Sequence, residues 1–188
     1  MTTEHITTYR HLITLKDGVR VLLRVLTHDD GERLAALFAP ISAEDARYLR
    51  HNAQDPAVPR RWAEELDYHR VVPLVAVVQD RIVGDATLHF GAGPARHIGE
   101  LRIFLAKDFR RRGLGTHMLR GLIDLGRKSG LHFLVAHIVA DQTRVIKAFE
   151  TLGFEPKAHF EDHFMFPDGE TTDVVLLVMR LIPREEEF

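Results

Sequence analysis

The sequence predicts an α/β (α+β) fold, and two observations on hydrophobic spacing indicate it. From Val71 onward the apolar residues recur with the period of two that is typical of strands, in three consecutive runs separated by turn residues. After Gly113 the spacing becomes that of an amphipathic helix, and a buried strand and a second helix follow. We therefore expect an antiparallel meander that leads into a strand-helix-strand-helix unit. All 188 residues are expected to form one domain, with its core from about residue 10 to about residue 182.

The first part of the chain predicts a hairpin followed by three helical segments. Residues Leu12 to Arg24 alternate around Asp17-Gly18, a dipeptide suited to a tight turn. Helix-start signals then follow at three places: Thr27 to Asp30, Ser42 with Asp45 three residues later, and Pro59, which can open a short helix through Asp67. Two strands and three helices are therefore expected before the meander.

The rest of the chain predicts six strands and two longer helices. The strands are expected at Val71 to Gln79, Arg81 to Phe90, Ile98 to Ala106, His132 to Val139, Ala158 to Phe166 and Thr172 to Leu181. The helices are expected from Leu114 to Ser129-Gly130 and from Asp141 to Gly153. The acidic tail Glu185 to Glu187 is expected to be disordered. The predicted order is ββααα-βββ-α-β-α-ββ.

Composition excludes several classes of function. The chain has no cysteine, which excludes disulfides, thiolate metal ligands and a thiol nucleophile. Its net charge of -2 with 28% charged residues is ordinary for a globular protein, so nucleic acid is not an expected partner. The longest apolar run, Val71 to Val78, contains Pro73 and is too short to span a bilayer, and the first residues lack the pattern of a signal peptide. We expect a cytoplasmic protein with no membrane partner.

A basic loop leads into a glycine-lined helix start at residues 107–115. Lys107 and Arg110-Arg111-Arg112 precede Gly113-Leu114-Gly115, and only Asp108 opposes them in sequence. The first turn of a helix presents free N–H groups and a partial positive charge, so this segment predicts a site for an anion such as a phosphate. Solvated loop charge is the alternative, and the segment fits neither a dinucleotide-binding nor a Walker pattern.

Two motifs in the second half of the chain resemble those of the GNAT superfamily of N-acetyltransferases. Glu100 to Thr116 resembles motif A, whose Arg/Gln-x-x-Gly-x-Gly/Ala signature is met by Arg110, Gly113 and Gly115, and Ala148 to Phe154 resembles motif B. Within the superfamily, the nearest resemblance is to bacterial protein-lysine acetyltransferase domains. The resemblance implies a GNAT-like mixed, mostly antiparallel central sheet flanked by helices on both faces. It also implies direct transfer of an acetyl group from acetyl-CoA to a primary amine.

The resemblance assigns most of its site residues to the binding of acetyl-CoA. Backbone groups of Ile103, Phe104 and Leu105 are expected to pair with the pantetheine arm, in a gap beside the strand His132 to Val139. The backbone amides of Arg111 to Thr116 are expected to hold the pyrophosphate. The full set of cofactor-binding residues so implied is Ile103, Phe104, Leu105, Arg110, Arg111, Arg112, Gly113, Leu114, Gly115, Thr116, Gln142 and Phe149. No metal is expected.

Two residues are candidates for the base that deprotonates the amine. Glu100 stands near the position where several members of the family place a base, and an ion pair with Arg102 is its simpler role. His137 lies where ribosomal-protein N-terminal acetyltransferases carry a catalytic Glu, and an unperturbed histidine pKa of about 6.5 suits a base. A hydrogen-bonded place in the core is the alternative for His137. The backbone N–H of Leu105 is the implied donor to the thioester oxygen.

One position departs from the family pattern. Phe149 stands where much of the family has a Tyr that protonates the leaving sulfur, so the thiolate leaves unaided or another group supplies the proton. The loss also leaves a second function open, that of a non-catalytic acyl-CoA-binding sensor or regulatory module. A nucleic-acid binder that uses Arg110 to Arg112 is a weaker, third alternative, because no aromatic-basic stripe accompanies those residues.

The remaining candidates carry less functional signal. His159 and His163 could share one strand face as metal ligands, but a solvated edge is favoured because no third ligand spacing accompanies them. Trp62 with Leu66 is interpreted as core rather than as a platform for the substrate. The acceptor is expected to be a small-molecule or protein amine, and a homodimer is left open.

Overall fold

A mixed sheet of eight strands forms the centre of the computed structural model, which describes residues 3–183. The strands are β1 (Arg10–Thr14), β2 (Arg20–Val25), β3 (Val71–Val78), β4 (Arg81–Phe90), β5 (Ile98–Leu105), β6 (Phe133–Val139), β7 (Glu155–Met165) and β8 (Thr171–Arg180). Their order across the sheet is β1-β2-β3-β4-β5-β6-β8-β7. Only β5 and β6 are parallel neighbours, because a helix crosses over between them.

Six α-helices accompany the sheet within residues 3–183. They are α1 (Glu4–Thr7), α2 (Gly31–Phe38), α3 (Ala43–Ala46), α4 (Ala57–Glu64), α5 (Leu114–Lys128) and α6 (Thr143–Thr151). The predicted mixed, mostly antiparallel sheet with flanking helices is confirmed. Within the same residues, no helix is both long and apolar enough to cross a membrane.

The helix predicted at Pro59 differs from the prediction at both ends. It begins two residues earlier, at Ala57, and ends at Glu64 rather than at Asp67. Pro59 therefore lies inside the first turn, where backbone N–H groups have no partner in the helix and a proline removes no hydrogen bond. The carboxylate of Asp67 instead accepts the N–H of His69, at 2.9 Å, in the turn that leads to β3.

The start of β7 and the first helix also differ from the prediction. Strand β7 begins at Glu155, three residues before the predicted Ala158, and its pairing with β8 shifts register on both sides of Ala158. Those shifts interrupt the alternation on which the sequence prediction depends. The helix Glu4–Thr7 was not predicted, because a four-residue helix is too short to display a period. The acidic tail Glu185 to Glu187 lies outside the described residues.

Side chains of β4 alternate between two faces of the sheet that have different roles. Gly84 lies against α5, and a Cβ atom at this position would be 2.8 Å from the sulfur of Met118. A side chain here would require Met118 and Leu105 to shift, so glycine favours the close approach of the helix to the sheet. Asp85, Thr87 and His89 point to the opposite face, toward α2 and α4. Helix α5 fills its face, whereas the face toward α2 and α4 retains a cavity.

Candidate active site

Strands β5 and β6 separate halfway along their length. Their pairing is limited to three residue pairs, the last of which is Glu100 with Val135. Beyond that pair, β5 continues to Leu105 with β4 as its only partner, and β6 continues to Val139 with β8 as its only partner. Backbone groups in the interior of a sheet need partners, so this gap is suited to an extended ligand.

The hydrogen-bond alternation of β5 decides which backbone groups face the gap. The N–H of Ala106 donates to the carbonyl of Val83 on β4, at 2.9 Å, so the even-numbered residues of this strand bond to β4. Backbone groups of Ile103 and Leu105 therefore face the gap, whereas those of Phe104 face β4. Of the three residues expected to pair with the arm, Ile103 and Leu105 thus have backbone groups that face the gap, and Phe104 contributes its side chain to the cavity wall.

The first turn of α5 lies at the end of this gap. A Cβ atom on Gly115 would be 3.4 Å from the side chain of Leu105 and 3.5 Å from that of Ile103. Gly113 precedes the helix with a φ of 84°, a left-handed conformation that favours glycine. The backbone N–H groups of Arg111 to Thr116 have no hydrogen-bond partner within residues 3–183. This arrangement, at the start of a helix of 15 residues, is suited to an anion.

The arginines of this loop are partly neutralised by carboxylates that are distant in sequence. Nε of Arg112 lies 2.5 Å from Asp17, and Nη1 of Arg110 lies 3.0 Å from Asp45. The hydrogen bond from Arg112 lowers the pKa of Asp17. Asp108, the acidic neighbour in sequence, pairs with an arginine of β4 instead. The local positive charge is therefore smaller than the sequence indicates, because the turn between β1 and β2 and helix α3 fold against this loop.

A cavity of about 520 Å³ lies on the α2 and α4 face of the sheet, beside the gap. That volume is within the usual range of small-ligand pockets. The sheet, the helices and the loop between α3 and α4 supply its polar and aromatic wall: Phe38, Tyr48, Arg50, His51, Trp62, Asp85, Thr87, His89, Arg102, Phe104, His137, Gln142 and Phe149. Ile103 also lines the cavity, whereas Glu100 and Leu105 lie outside its wall.

Glu100 lies behind this wall, held by two arginines and a histidine. Its carboxylate is 2.9 Å from Arg50, 3.1 Å from Arg102 and 3.5 Å from Nδ1 of His137. Burial raises the pKa of Glu100, but the hydrogen bond from Arg102 and the charges of both arginines outweigh burial and lower the pKa overall. The ion pair with Arg102 that the sequence suggested is present, and Glu100 is a carboxylate with reduced affinity for a proton.

His137 faces the cavity rather than the core. Its side chain is 33% exposed and lines the cavity wall, so the hydrogen-bonded core position that was its alternative does not describe it. Nδ1 lies toward Glu100, at 3.5 Å. The structure thus brings the two predicted catalytic residues together, with the histidine toward the cavity and the carboxylate behind it.

The residues from α6 and α4 complete the wall. Gln142 precedes α6, and its side chain has no hydrogen-bond partner within the described part of the chain. Phe149 is 2% exposed and meets Phe154 edge to face at 5.0 Å, so an apolar ring stands where a proton donor is common in the family. Trp62 packs against Phe38 at 5.7 Å and lines the cavity, which places it at the border of the core.

Several polar residues of the cavity wall are absent from the sequence-based site, among them Arg50, Asp85 and His89. Burial, with a smaller effect from Arg102, lowers the pKa of His89 to about 4, and its ring nitrogen lies 2.9 Å from the hydroxyl of Thr87. Burial raises the pKa of Asp85 to about 7. His89 and Asp85 lie on one face of β4. Their polar side chains at inward positions of a strand were the sequence pattern that could have indicated a site here. Arg50 comes from a loop and has no local signal.

The two histidines of β7 contact other side chains of β7 and β8. His159 lies 2.7 Å from Asp173 on β8, and His163 stacks against Phe160 with ring centroids 5.0 Å apart. Both histidines are exposed on an edge strand, as the sequence favoured. Within residues 3–183 there is no group of three or more His, Cys, Asp or Glu side chains arranged to hold a metal ion.

The chain is similar to known acetyltransferases in both sequence and structure. Residues 38–154, more than half of the chain, match the model of the family described as "Acetyltransferase (GNAT) family". The GNAT domain of PAT from S. lividans superposes with a TM-score of 0.76 at 23% identity, covering 92% of this chain and 97% of that chain. An acetyltransferase of the GNAT family from Streptococcus pneumoniae gives 0.75 at 20% identity, covering 86% and 99%. The protein yncA from Salmonella typhimurium, solved with its cofactor acetyl-CoA, gives 0.73 at 19% identity, covering 88% and 96%. At these identities the structural likeness establishes the fold.

Proposed function

The chain belongs to the acetyltransferase (GNAT) family, and we propose from this that it is an N-acetyltransferase that moves an acetyl group directly from acetyl-CoA to a primary amine. The observation that supports the proposal most is the continuity of three features. The gap between β5 and β6 borders the cavity, and it ends at the free amides of α5. An extended ligand with an anionic end and a reactive end fits this arrangement.

The residues present fit acetyl-CoA, which supplies an acetyl group activated as a thioester. Backbone groups of Ile103 and Leu105 would pair with the pantetheine arm, because they face the gap without a partner strand. The amides of Arg111 to Thr116 would hold the pyrophosphate. Phe149 and the side chain of Gln142 would line the end of the arm, since both face the cavity beside the gap.

The chemistry requires a neutral amine and a polarised carbonyl. In the proposed mechanism His137 accepts the proton of the ammonium group, and the carboxylate of Glu100, 3.5 Å from Nδ1, stabilises the positive charge of the ring. The N–H of Leu105 faces the gap and would donate to the carbonyl oxygen. The chain has no cysteine to carry an acyl group, which favours direct transfer.

Phe149 affects how the thiolate of CoA would leave, because it stands where much of the family has a proton-donating Tyr. A phenyl ring cannot donate a proton, and this one is buried against Phe154. A thiol pKa of about 8.5 lets the thiolate depart without prior protonation, and solvent at the cavity then supplies the proton. The same residue supports a second candidate function, an acyl-CoA sensor that binds the thioester without turnover.

The proposed acceptor is a small-molecule or protein amine in the cytoplasm. Nucleic acid is not proposed as a partner, because Asp17 and Asp45 take up the charges of two of the three loop arginines. A membrane is not proposed either, and a homodimer stays open.

The test is turnover. The protein is incubated with acetyl-CoA and a panel of primary amines, and free thiol and acetylated amine are measured together. The proposal expects equal amounts of the two products. Binding of acetyl-CoA with no product from any amine would instead support the sensor, and absence of binding would contradict both functions.

A further inference from the structure

Asp85 is a buried carboxyl group in the cavity wall that the proposed mechanism does not use. Its residue is 8% exposed, it lines the cavity, and its Oδ1 atom has no hydrogen-bond partner within residues 3–183. Burial of a polar atom without a hydrogen-bond partner destabilises the folded protein. A ligand that supplies the missing donor would account for its position.

The other buried carboxylate within residues 3–183, that of Asp30, accepts several hydrogen bonds. Asp30 accepts hydrogen bonds from Arg24 at 2.6 and 2.8 Å, from the backbone and hydroxyl of Thr27, and from Arg33. These contacts outweigh its burial and hold the pKa of Asp30 at about 2. Asp30 therefore has a structural role, and the contrast indicates that Asp85 is not a second member of the same kind of network.

The cations nearest to the cavity do not neutralise Asp85. Arg102 and Arg50 are both held by Glu100, at 3.1 and 2.9 Å, and no cation within the described residues forms an ion pair with Asp85. Burial alone raises the pKa of Asp85 to about 7, and no neighbouring positive charge lowers it.

Three aromatic rings in consecutive contact line the same cavity, and one of them is the cross-strand neighbour of Asp85. Phe104 is opposite Asp85 in the register of β4 and β5. The centroids of the Phe104 and Phe38 rings are 5.0 Å apart. Phe38 in turn meets Trp62 edge to face at 5.7 Å, and all three rings line the cavity. Aromatic faces attract ammonium groups, most strongly where water is excluded.

We propose that Asp85, with the rings of Phe38, Trp62 and Phe104, binds an alkylammonium group of the acceptor, so that the substrates of this enzyme are amines with a second, cationic amine. The proposal deepens the proposed function and rests on it. The ammonium group at Asp85 is not the one that is acetylated, because pairing with a carboxylate favours the charged form and acetyl transfer needs the neutral form. One amine is anchored at Asp85 and the other reacts near His137.

The first test measures binding without acetyl transfer. Cadaverine, a linear diamine, is titrated into the protein by calorimetry, and its affinity is compared with that for the Asp85→Asn variant. We expect the variant to lose about ten- to hundredfold in affinity, because a charge-assisted hydrogen bond is lost while the shape is kept. Glu65→Gln is the matched control, because it removes an exposed carboxylate at the rim of the same cavity. Thermal melting of both variants checks the fold.

The second test uses turnover and separates the two proposals. We expect cadaverine to have a kcat/KM at least about tenfold above that of pentylamine in the wild-type protein, and we expect Asp85→Asn to remove this preference, measured as the ratio of the two kcat/KM values in each protein. Absence of thiol release with both amines would contradict the acetyltransferase proposal. The binding test would still decide whether Asp85 binds an ammonium group. The inference is overturned if wild-type protein does not bind cadaverine, or if Asp85→Asn binds it as tightly as wild type.

Discussion

In the proposed mechanism, proton transfer depends on His137 and on the carboxylate of Glu100, 3.5 Å from Nδ1 of the histidine. Glu100 is held by two arginines that lower its affinity for a proton, whereas His137 faces the cavity where the amine would bind. We therefore expect His137→Gln to lower kcat about a hundredfold or more, the range associated with loss of a general base. The affinity for acetyl-CoA should change by no more than a factor of about two, because no cofactor contact is assigned to this ring. Steady-state thiol release and calorimetry measure the two quantities.

A comparison with Glu100→Gln tests whether His137 or Glu100 is the base. The sequence alone favoured Glu100 as the base, and the structure favours His137 because the carboxylate is already paired on both sides. We expect Glu100→Gln to reduce kcat by about tenfold, the effect of losing charge stabilisation rather than the base itself. A larger loss for Glu100→Gln than for His137→Gln, at equal melting temperature, would assign the base to Glu100.

Asp85 also predicts a dependence of stability on pH. Its pKa is about 7 in the folded protein against an ordinary value of 3.8, because burial disfavours the charged form. The unfolded chain therefore loses this proton first, and stability falls as pH rises from about 4 to about 7 and then levels off. The difference between the two pKa values corresponds to a loss on the order of 4 kcal/mol. Urea unfolding at a series of pH values measures it.

Asp85→Asn isolates this contribution. His89 lies on the same face of β4 with a pKa near 4, so its titration changes stability in the opposite direction over part of the same range. The difference in unfolding free energy between wild type and Asp85→Asn removes that common contribution. We expect the variant to be the more stable protein at pH 8, and a difference that does not vary between about pH 4 and about pH 8 would contradict the raised pKa.

At the scale of elements, one added negative charge at the N-terminus of α5 tests whether this helix end binds the anionic part of acetyl-CoA. Gly113 has a positive φ, and open space surrounds its Cβ position, so a side chain fits but the backbone is strained. Asn and Asp both tolerate this conformation and have the same shape. We expect Gly113→Asp to bind acetyl-CoA at least about tenfold more weakly than Gly113→Asn, because only Asp places a negative charge beside the free amides. Calorimetry with both variants measures the difference, and equal affinities would remove the helix end from the site.

The elements themselves could largely be predicted from the sequence. Each of the eight strands and the five longer or capped helices carries a local signal, such as the alternation of Arg81 to Phe90 or the helical spacing that starts at Leu114. Glycine signals were also reliable, since Gly113 and Gly153 both have positive φ values at helix ends. These features depend on residues close in sequence, which is why they can be found without the fold.

The features that the sequence missed all depend on contacts between distant segments. Arg50 reaches Glu100 from a loop, and Arg112 pairs with Asp17 of the first hairpin, 95 positions away. The direction of the backbone groups of Phe104 requires the register with β4, which no local pattern supplies. The alternation of β4 marks Asp85 as a polar residue at an inward position, but only the packing of α2 shows that its face encloses a cavity.

At the scale of the whole molecule, we expect the ligand specificity to follow from how the helix end at α5 and the gap between β5 and β6 are joined. A nucleotide such as ATP can use the anion site at α5, but it has no arm to pair with the gap between β5 and β6. A dinucleotide lacks the same arm, and an oligonucleotide meets loop arginines that are already paired with Asp17 and Asp45. Only a ligand with an anionic end and an extended amide arm uses both parts of the site.

We therefore predict a ranked set of thermal shifts for acetyl-CoA, CoA, ATP, NADH and an oligonucleotide. Saturation at a hundred times the dissociation constant adds about 2.7 kcal/mol to the stability of the folded state. In a protein of this length each kcal/mol raises the melting temperature by roughly 2–4 °C, so acetyl-CoA should raise it by about 5–10 °C. CoA should give most of this shift, because it shares the pyrophosphate and the pantetheine arm, and ATP should give less. NADH and the oligonucleotide should give almost none. A shift with NADH or the oligonucleotide and none with acetyl-CoA would contradict the proposed use of the gap, whichever residue serves as the base.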